Sequence, residues 1–467
     1  MSNLFGYFID NIYLCIGKIS YPDTTVDIYI IRYKKMKKGF LLLALMTSLG
    51  ISAQKQWTLD DCINYAIQHN IDLQQIRLTQ KSAVEDVKQS KAALLPTLSA
   101  STNQGVSYDP WDDYSSDKVS YNGTYTVSAQ WTVWNGGQNT NQLKLSKLKE
   151  QDSNLNVLES SNSVQEAIAK LYVQILYQKE AIEVNRQSLE TSKKNEERGK
   201  QMLEVGQMSK ADLAQLTAQR ASGEYSVVEA ETQLSNYKLQ LKKLLQLTGV
   251  MEFDIADPSA TDNQALADVP PLQEVYETAL LQRPEIQSAQ LGIESSKLQL
   301  KIAKAGWMPS VSMTGSVGTS TFSSSTYSWS KQMKTNFGTS AGVGISLPLF
   351  DGRKTKTNVQ KALIAQEQAR LTLKNEQDNL FETIEGYWLN AINNQEKFRS
   401  AVASVDSEQE SYNLLQEQFN LGMKNIVELL SGKDKLLQAQ QNKLQSKYLT
   451  ILNLQMLKFY EGETMKL

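Results

Sequence analysis

The sequence predicts a mainly α-helical fold with a membrane β-barrel component, in which one unit of helix, strand pair and long helical hairpin occurs twice. Three observations carry that expectation. The nine prolines stand at 22, 96, 110, 258, 270, 271, 284, 309 and 348, which leaves residues 111–257 and 349–467 without one. Four stretches free of charge alternate apolar and polar side chains. The first half of the chain also matches the second at a nearly constant offset.

The repeat sets the order of elements. Residues 59–74 match residues 272–287 at an offset of 213, with Leu59/Leu272, Ala66/Ala279 and Gln74/Gln287 identical. The register holds through Lys88/Lys301, Lys91/Lys304 and Pro96/Pro309. After a loop three residues longer in the second copy the offset becomes 216, which aligns Gly136/Gly352, Gly206/Gly422 and Leu213/Leu429. A period that long marks a duplicated domain and not a solenoid. The expected organisation is a first repeat over 54–250, a linker over 251–270 and a second repeat over 271–467. Each repeat reads helix, two strands, long helix, turn, helix.

The strands follow from period two. In 119–133 the odd positions are Val, Tyr, Gly, Tyr, Val, Ala, Trp and Val, and the even ones Ser, Asn, Thr, Thr, Ser, Gln and Thr. Segment 337–349 alternates likewise, and 97–108 and 310–322 more weakly. The connecting segments 109–118 and 323–334 are polar and read as turns. A soluble sandwich could alternate too, but these strands of about 12 residues exceed the usual five or six. They match the 9–11 tilted residues that cross a bilayer. Trp111, Tyr114, Trp131 and Trp134 near the strand ends suit interfacial aromatic girdles. Four strands cannot close a barrel, and an open sheet edge cannot face lipid. Other copies must complete the sheet, and three chains would supply twelve strands.

The long helices are expected over 142–204 and 354–420, each roughly 95–100 Å at 1.5 Å per residue. Proline in a helix interior removes a hydrogen bond and clashes with the preceding turn, so its absence here is permissive. Ile384, Tyr387, Ala391, Phe398, Val402, Val405, Tyr412 and Phe419 trace a stripe at spacings of three and four, a narrow seam of the coiled-coil kind. Two turns join the long helices to the shorter ones, Val205-Gly-Gln-Met-Ser-Lys-Ala-Asp212 and Leu421-Gly-Met-Lys-Asn-Ile-Val-Glu428. Each puts glycine just past a helix, where a left-handed residue ends it. Ser209 with Asp212 and Asn425 with Glu428 have capping-box spacing, although Asp212 is shorter than the usual Glu or Gln. On spacing alone these acids stabilise helix starts.

Composition narrows the function. There are 48 Lys+Arg against 50 Asp+Glu, so no basic surface for nucleic acid is expected. A single histidine, His69, and two cysteines, Cys15 and Cys62, argue against zinc sites and His-based triads. His69 reads as a surface or packed side chain, and Met202, Met208 and Met423 near the turns read as adaptable packing. No enzyme, cofactor or metal is expected. Lys34, Lys35, Lys37 and Lys38 flank Met36, an apolar run covers 40–49, and small residues lead to Gln54. That pattern is a signal peptide over 36–53. The run is too short for a bilayer span of about 20 residues. Residues 1–35 are then an upstream extension from a misassigned start. The mature chain carries 42 cationic against 47 acidic side chains, a net charge of −5, and retains Cys62 alone.

Helix, strand pair and helical hairpin, repeated behind a signal peptide, resemble the outer membrane efflux protein (TolC) family. The resemblance runs from Trp57 to about Glu461. It rests on the turn Leu347-Pro-Leu-Phe-Asp-Gly352, its partner Val133-Trp-Asn-Gly-Gly137 and the two helix–helix turns. It implies a homotrimer with a 12-stranded β-barrel in the outer membrane and a 12-helix periplasmic α-barrel. Such a trimer is a passive duct for efflux or type I secretion. Its partners would be outer membrane lipid, a periplasmic adaptor (membrane fusion) protein and an inner-membrane transporter, whose RND, ABC or MFS type stays open. Some lineages carry an N-terminal lipidated cysteine, which Cys62, inside a helical pattern, does not match. The resemblance further implies that Val205-Gly206 and Leu421-Gly422 dock the adaptor. Glu428 matches an aperture acid, Asp212 a tip acid, and Phe419 and Lys424 an aromatic and a basic gate position. Ser431 stands where a second aperture acid is expected. The alternative reading is an exported coiled-coil scaffold that conducts nothing, for which the charge-free strands would have no use.

Overall fold

The structure is a computed structural model that describes residues 56–111, 118–249, 253–257 and 262–465. The expected upstream extension, the signal segment and Tyr114 lie outside the described residues.

Each repeat opens with two helices where the sequence suggested one. Helix α1 (Leu59–His69) starts on a complete Thr58/Asp61 capping box. It ends at Asn70, whose extended backbone breaks the run while its side chain accepts from the Leu73 N–H and starts α2 (Ile71–Ala92). Strands β1 (Thr97–Tyr108) and β2 (Val119–Asn135) follow. Next come α3 (Gln138–Glu204) and α4 (Lys210–Leu244). The linker carries one turn of helix, α5 (Asp262–Ala265). The second repeat runs α6 (Leu272–Gln282) and α7 (Pro284–Lys304), where Arg283 and Pro284 make the same break. A 3-10 turn (Ala305–Trp307) leads to β3 (Ser310–Phe322), the short α8 (Trp329–Thr335) and β4 (Gly338–Ser346). Helices α9 (Lys354–Asn420) and α10 (Ile426–Tyr460) close the chain. Helix α3 begins four residues earlier than the periodicity suggested, and both long helices have 67 residues, about 100 Å. Strand β4 stops before Pro348, which has no N–H for a ladder.

The four strands form one antiparallel sheet in the order β1-β2-β3-β4, so β2 and β3 join the two repeats. Register places side chains directly opposite one another on a common face. One face carries Leu98, Ala129 and Val127 with Val317, Met313, Val343 and Ile345. The other carries serine, threonine, asparagine and glycine, with hydroxyl pairs Ser99–Ser128 at 3.0 Å and Ser316–Ser340 at 2.8 Å. A bulge between Thr132 and Trp134 leaves Val133 unpaired and sets Trp134 opposite Val311. Strict alternation would have turned Trp134 to the polar face; the extra residue returns it to the apolar face beside Trp131.

Midway along the hairpins the repeats share a core. Ile168 and Ile384, equivalent at offset 216, are both fully buried. The seam expected along α9 is present: Ile384, Ala391, Phe398, Tyr412 and Phe419 are buried. Cys62 and Ala66 of α1 and Val275 and Ala279 of α6 pack into the same core. Equivalent positions in the two repeats also hold backbone carbonyls. The Tyr172 hydroxyl sits 3.2 Å from the Trp57 carbonyl, and its counterpart Trp388 donates from Nε1 to the Pro270 carbonyl at 3.1 Å. Lys179 donates to the Ile255 carbonyl at 3.0 Å, and its counterpart Gln395 donates to the carbonyls of Ala265 and Ala267.

The linker is therefore part of the core where it is described. Phe253 and Ile255 are buried, and Trp57 pairs with Ile255 as an isolated parallel bridge. Asp254 lies 3.0 Å from both Lys179 and Lys238. Burial pushes its carboxyl pKa up, but the two lysines outweigh that and hold it below the ordinary value of 3.8. The clamp's stabilisation is thus complete above the ordinary value and is lost as pH falls through the folded one. Asp254→Asn is expected to narrow the gap between urea midpoints measured at pH 7 and pH 3. An unchanged gap would take Asp254 out of the acid response.

Candidate functional site

The two hairpin turns follow the ends of α3 and α9 remote from the sheet, and local rules build them. Gly206 and Gly422 have φ of 74° and 73°, the left-handed region that side chains disfavour. Both turns close with the same bond pair. The Gln207 N–H donates to the Met202 carbonyl at 2.8 Å and the Gly206 N–H to Leu203 at 3.0 Å. In the second hairpin Met423 donates to Gln418 at 2.9 Å and Gly422 to Phe419 at 3.0 Å. These are Schellman motifs. Val205, Leu421, Met423 and Val427 stand exposed around them.

The two helix starts differ in what their acids bind. Asn425 and Glu428 form a complete capping box, with the Glu428 N–H donating to Asn425 Oδ1 at 2.9 Å. Ser209 accepts from the Asp212 N–H at 3.0 Å, while the Asp212 carboxylate accepts a hydrogen bond from the Ser209 hydroxyl at 2.8 Å instead of one from the backbone. Lys424 donates to Glu428 at 2.6 Å. That hydrogen bond, with the Asn425 N–H, holds the Glu428 carboxyl below the ordinary value of 4.5.

Phe419, which the resemblance matches to an aromatic gate position, is buried at the end of α9. Its side chain is buried with Leu216, Tyr412, Ile426, Leu429 and Leu436, and Met202 and Met208 pack against this cluster. It lies under the turn because the seam of α9 runs to the helix end. The cluster contains Leu216 from the first hairpin and the rest from the second, so the two tips are bolted together. Asn195 donates to the Tyr412 hydroxyl at 3.3 Å and Gln219 to Asp434 at 3.0 Å. Lys433, whose pKa burial lowers, donates to the Ser192 hydroxyl. Asp434 escaped sequence reasoning. It follows Ser431 by three residues, so the two are neighbours on the surface of α10, and that spacing was the available signal.

Inside each hairpin one glycine lets the helices approach. A Cβ on Gly199 would meet Leu216 Cδ1 at 2.5 Å, and a Cβ on Gly432 would meet Leu415 Cδ1 at 2.5 Å. At offset 216, position 199 is equivalent to 415 and 216 to 432. The repeats therefore use the same contact with the glycine and the leucine exchanged.

At the sheet, Trp131 and Trp134 lie at the helix-side end and Trp111 beyond the opposite end, exposed by 37%, 44% and 90%. Trp131 Nε1 donates to the Leu94 carbonyl at 2.9 Å. Among the described residues no group of three or more His, Cys, Asp or Glu side chains could hold a metal ion. His69 stacks on Tyr65 at 3.9 Å between ring centroids. Met423 is exposed.

Comparison with known proteins agrees with this architecture. The "Outer membrane efflux protein" BepC of Brucella suis is 20% identical over 421 residues, covering 87% of this chain and 85% of that protein. The "Outer membrane protein TolC" of Vibrio cholerae is 21% identical over 420 residues, 89% of this chain and 93% of that one. Among solved structures, CusC superposes with a TM-score of 0.76 at 16% identity, covering 87% of this chain and 92% of that chain. The outer-membrane channel OprN gives 0.75 at 16% identity over 88% and 91%. The profile of the outer membrane efflux protein family matches residues 62–246 and 275–463, one segment in each repeat. This chain belongs to the outer membrane efflux protein family.

Proposed function

We propose that the protein is the passive exit duct of a tripartite efflux pump or type I secretion system. Three copies close a 12-stranded barrel in the outer membrane and continue it as a 12-helix tunnel through the periplasm. The observation that carries this reading is the sheet: β1 and β4 are both unpaired edges, and the outward face is apolar and uncharged. Strand β4 runs opposite to β1, so β4 of one copy continues antiparallel onto β1 of the next. Closure removes every edge, which a sheet in lipid requires. The polar face then lines the lumen. The family's members are channels and not enzymes, and the duct moves solutes without chemistry of its own.

At the far end, the exposed Val205-Gly206 and Leu421-Gly422 turns dock the hairpin tips of a periplasmic adaptor, through which an inner-membrane transporter engages. Glu428, Lys424 and Asp212 face the aperture, and Phe419 supports the tip from beneath. Fractionation of cells making the form that starts at Met36 tests the reading. The protein is expected in the outer membrane, with a native mass in detergent about three times that of the mature chain. A soluble periplasmic monomer or dimer would favour the coiled-coil scaffold instead.

A further inference from the structure

The segment joining β3 to β4 was expected to be a polar turn, yet it contains α8. Between Lys304 and Asp351 the only charged residues are Lys331 and Lys334, both on this helix. Three residues apart, they share one side of it. The helix is fixed to the sheet by its own polar contacts. Gln332 accepts from the Phe322 N–H at 2.7 Å and donates to the Phe322 and Tyr327 carbonyls at 3.1 and 2.8 Å. Asn336 donates to the Ser320 carbonyl at 2.7 Å, and the Thr319 hydroxyl to the Met333 carbonyl at 2.9 Å. Trp329 meets Tyr125 edge-on at 6.3 Å.

Register decides which face α8 covers. Tyr125 is paired with Thr319, on the face that carries Val127, Val317 and Met313. The helix therefore lies on the outward, apolar face, at the sheet end remote from the long helices. It leans over β1 and β2 of its own chain, away from the β4 edge. Beneath it runs a groove of about 500 Å³, lined among others by Ala100, Val127, Val317, Met333 and Phe337. Tyr327, Trp329 and Phe337 remain exposed beside it, and Lys331 Nζ sits 4.1 Å from the Tyr327 ring centroid. Aromatic side chains, a lysine pair that makes no ion pair among the described residues and an apolar groove are what the headgroup boundary of an anionic leaflet selects.

We propose that α8 and its groove bind one phosphorylated glycolipid of the outer leaflet, with the phosphates on Lys331 and Lys334 and an acyl chain along the Val127–Val317 groove. This rests on the barrel reading, which places this end of the sheet at the outer surface. The test is native mass spectrometry of the full mature protein, delipidated and then offered bisphosphorylated lipid A or the same lipid enzymatically dephosphorylated. The unmodified protein is expected to retain the phosphorylated form and to lose most of the dephosphorylated one. Lys331→Gln with Lys334→Gln is expected to cut retention at least about fivefold, and Val317→Trp to cut it by filling the groove. Equal retention by the lysine variant, or equal retention of both lipids, overturns the proposal. Unchanged retention with salt-sensitive dissociation of the oligomer also overturns it, and assigns the lysines to the acidic 109–118 loop of the next copy. The same spectrum reports the oligomer, so a monomer sinks the barrel reading and a trimer without lipid sinks only this site.

Discussion

Gly432→Leu is expected to destabilise the helical hairpins strongly, and Leu415→Gly in the same chain to recover most of the loss. A Cβ at 432 already comes within 2.5 Å of Leu415 Cδ1, so a whole leucine side chain must displace its neighbour or separate α9 from α10. Overpacking of that kind costs typically 1–3 kcal/mol. Leu415→Gly alone also destabilises, through a lost contact and a glycine in a helix interior at about 1 kcal/mol. Together the two changes rebuild in the second hairpin the arrangement that Gly199 and Leu216 form in the first. Helix-propensity terms cancel because one glycine is removed and one is introduced. The coupling between the sites is expected to reach about 2 kcal/mol in a thermal or urea double-mutant cycle. Additive single and double effects would show that the exchanged contact does not govern hairpin packing.

Replacing Glu428 with glutamine is expected to weaken block of the reconstituted channel by multivalent cations by about an order of magnitude, with little change in folding stability. The substitution separates two roles of one side chain. Glutamine still reaches back to the Asn425 N–H and preserves the capping box, while a threefold ring of carboxylates loses its charge. Lys424→Gln is expected to act in the opposite direction by freeing the carboxylate it now pairs with at 2.6 Å. Because the Lys424 hydrogen bond holds the Glu428 carboxyl below 4.5, block should persist across the neutral range and fade only in more acidic solution. Asp434 stays as a remaining acid near the tip, so residual block in the glutamine variant is expected. Unchanged block in Glu428→Gln and Lys424→Gln alike would remove this pair from the aperture.

Which parts of this protein the sequence could reveal depended on the range of the forces behind them. The duplication, the strand stretches 97–108 and 310–322, the end of α3 at Glu204 and the whole span of α9 were legible because each follows from rules acting within a few residues. Those rules are side-chain alternation, the absence of proline, and a glycine able to take a left-handed backbone. The capping pairs were equally legible, but not which would close fully: Asp61 completes its box while Asp212, equally short, bonds the Ser209 hydroxyl.

Only tertiary structure decided the rest. The bulge at Val133 brings Trp134 to the apolar face because β3 dictates register across the sheet. The linker is ordered where it is described because Lys179 and Gln395, far away in the chain, bind its carbonyls. Phe419 faces inward because Leu216 of the other hairpin completes the cluster around it. Helix α8 forms in a segment that composition marks as a turn, since Gln332 and Asn336 find strand-end carbonyls to bind. The exchange of glycine and leucine between hairpins is invisible in either repeat alone. Local backbone preference wrote the elements, and contacts between residues distant in sequence chose which side chains each element buries.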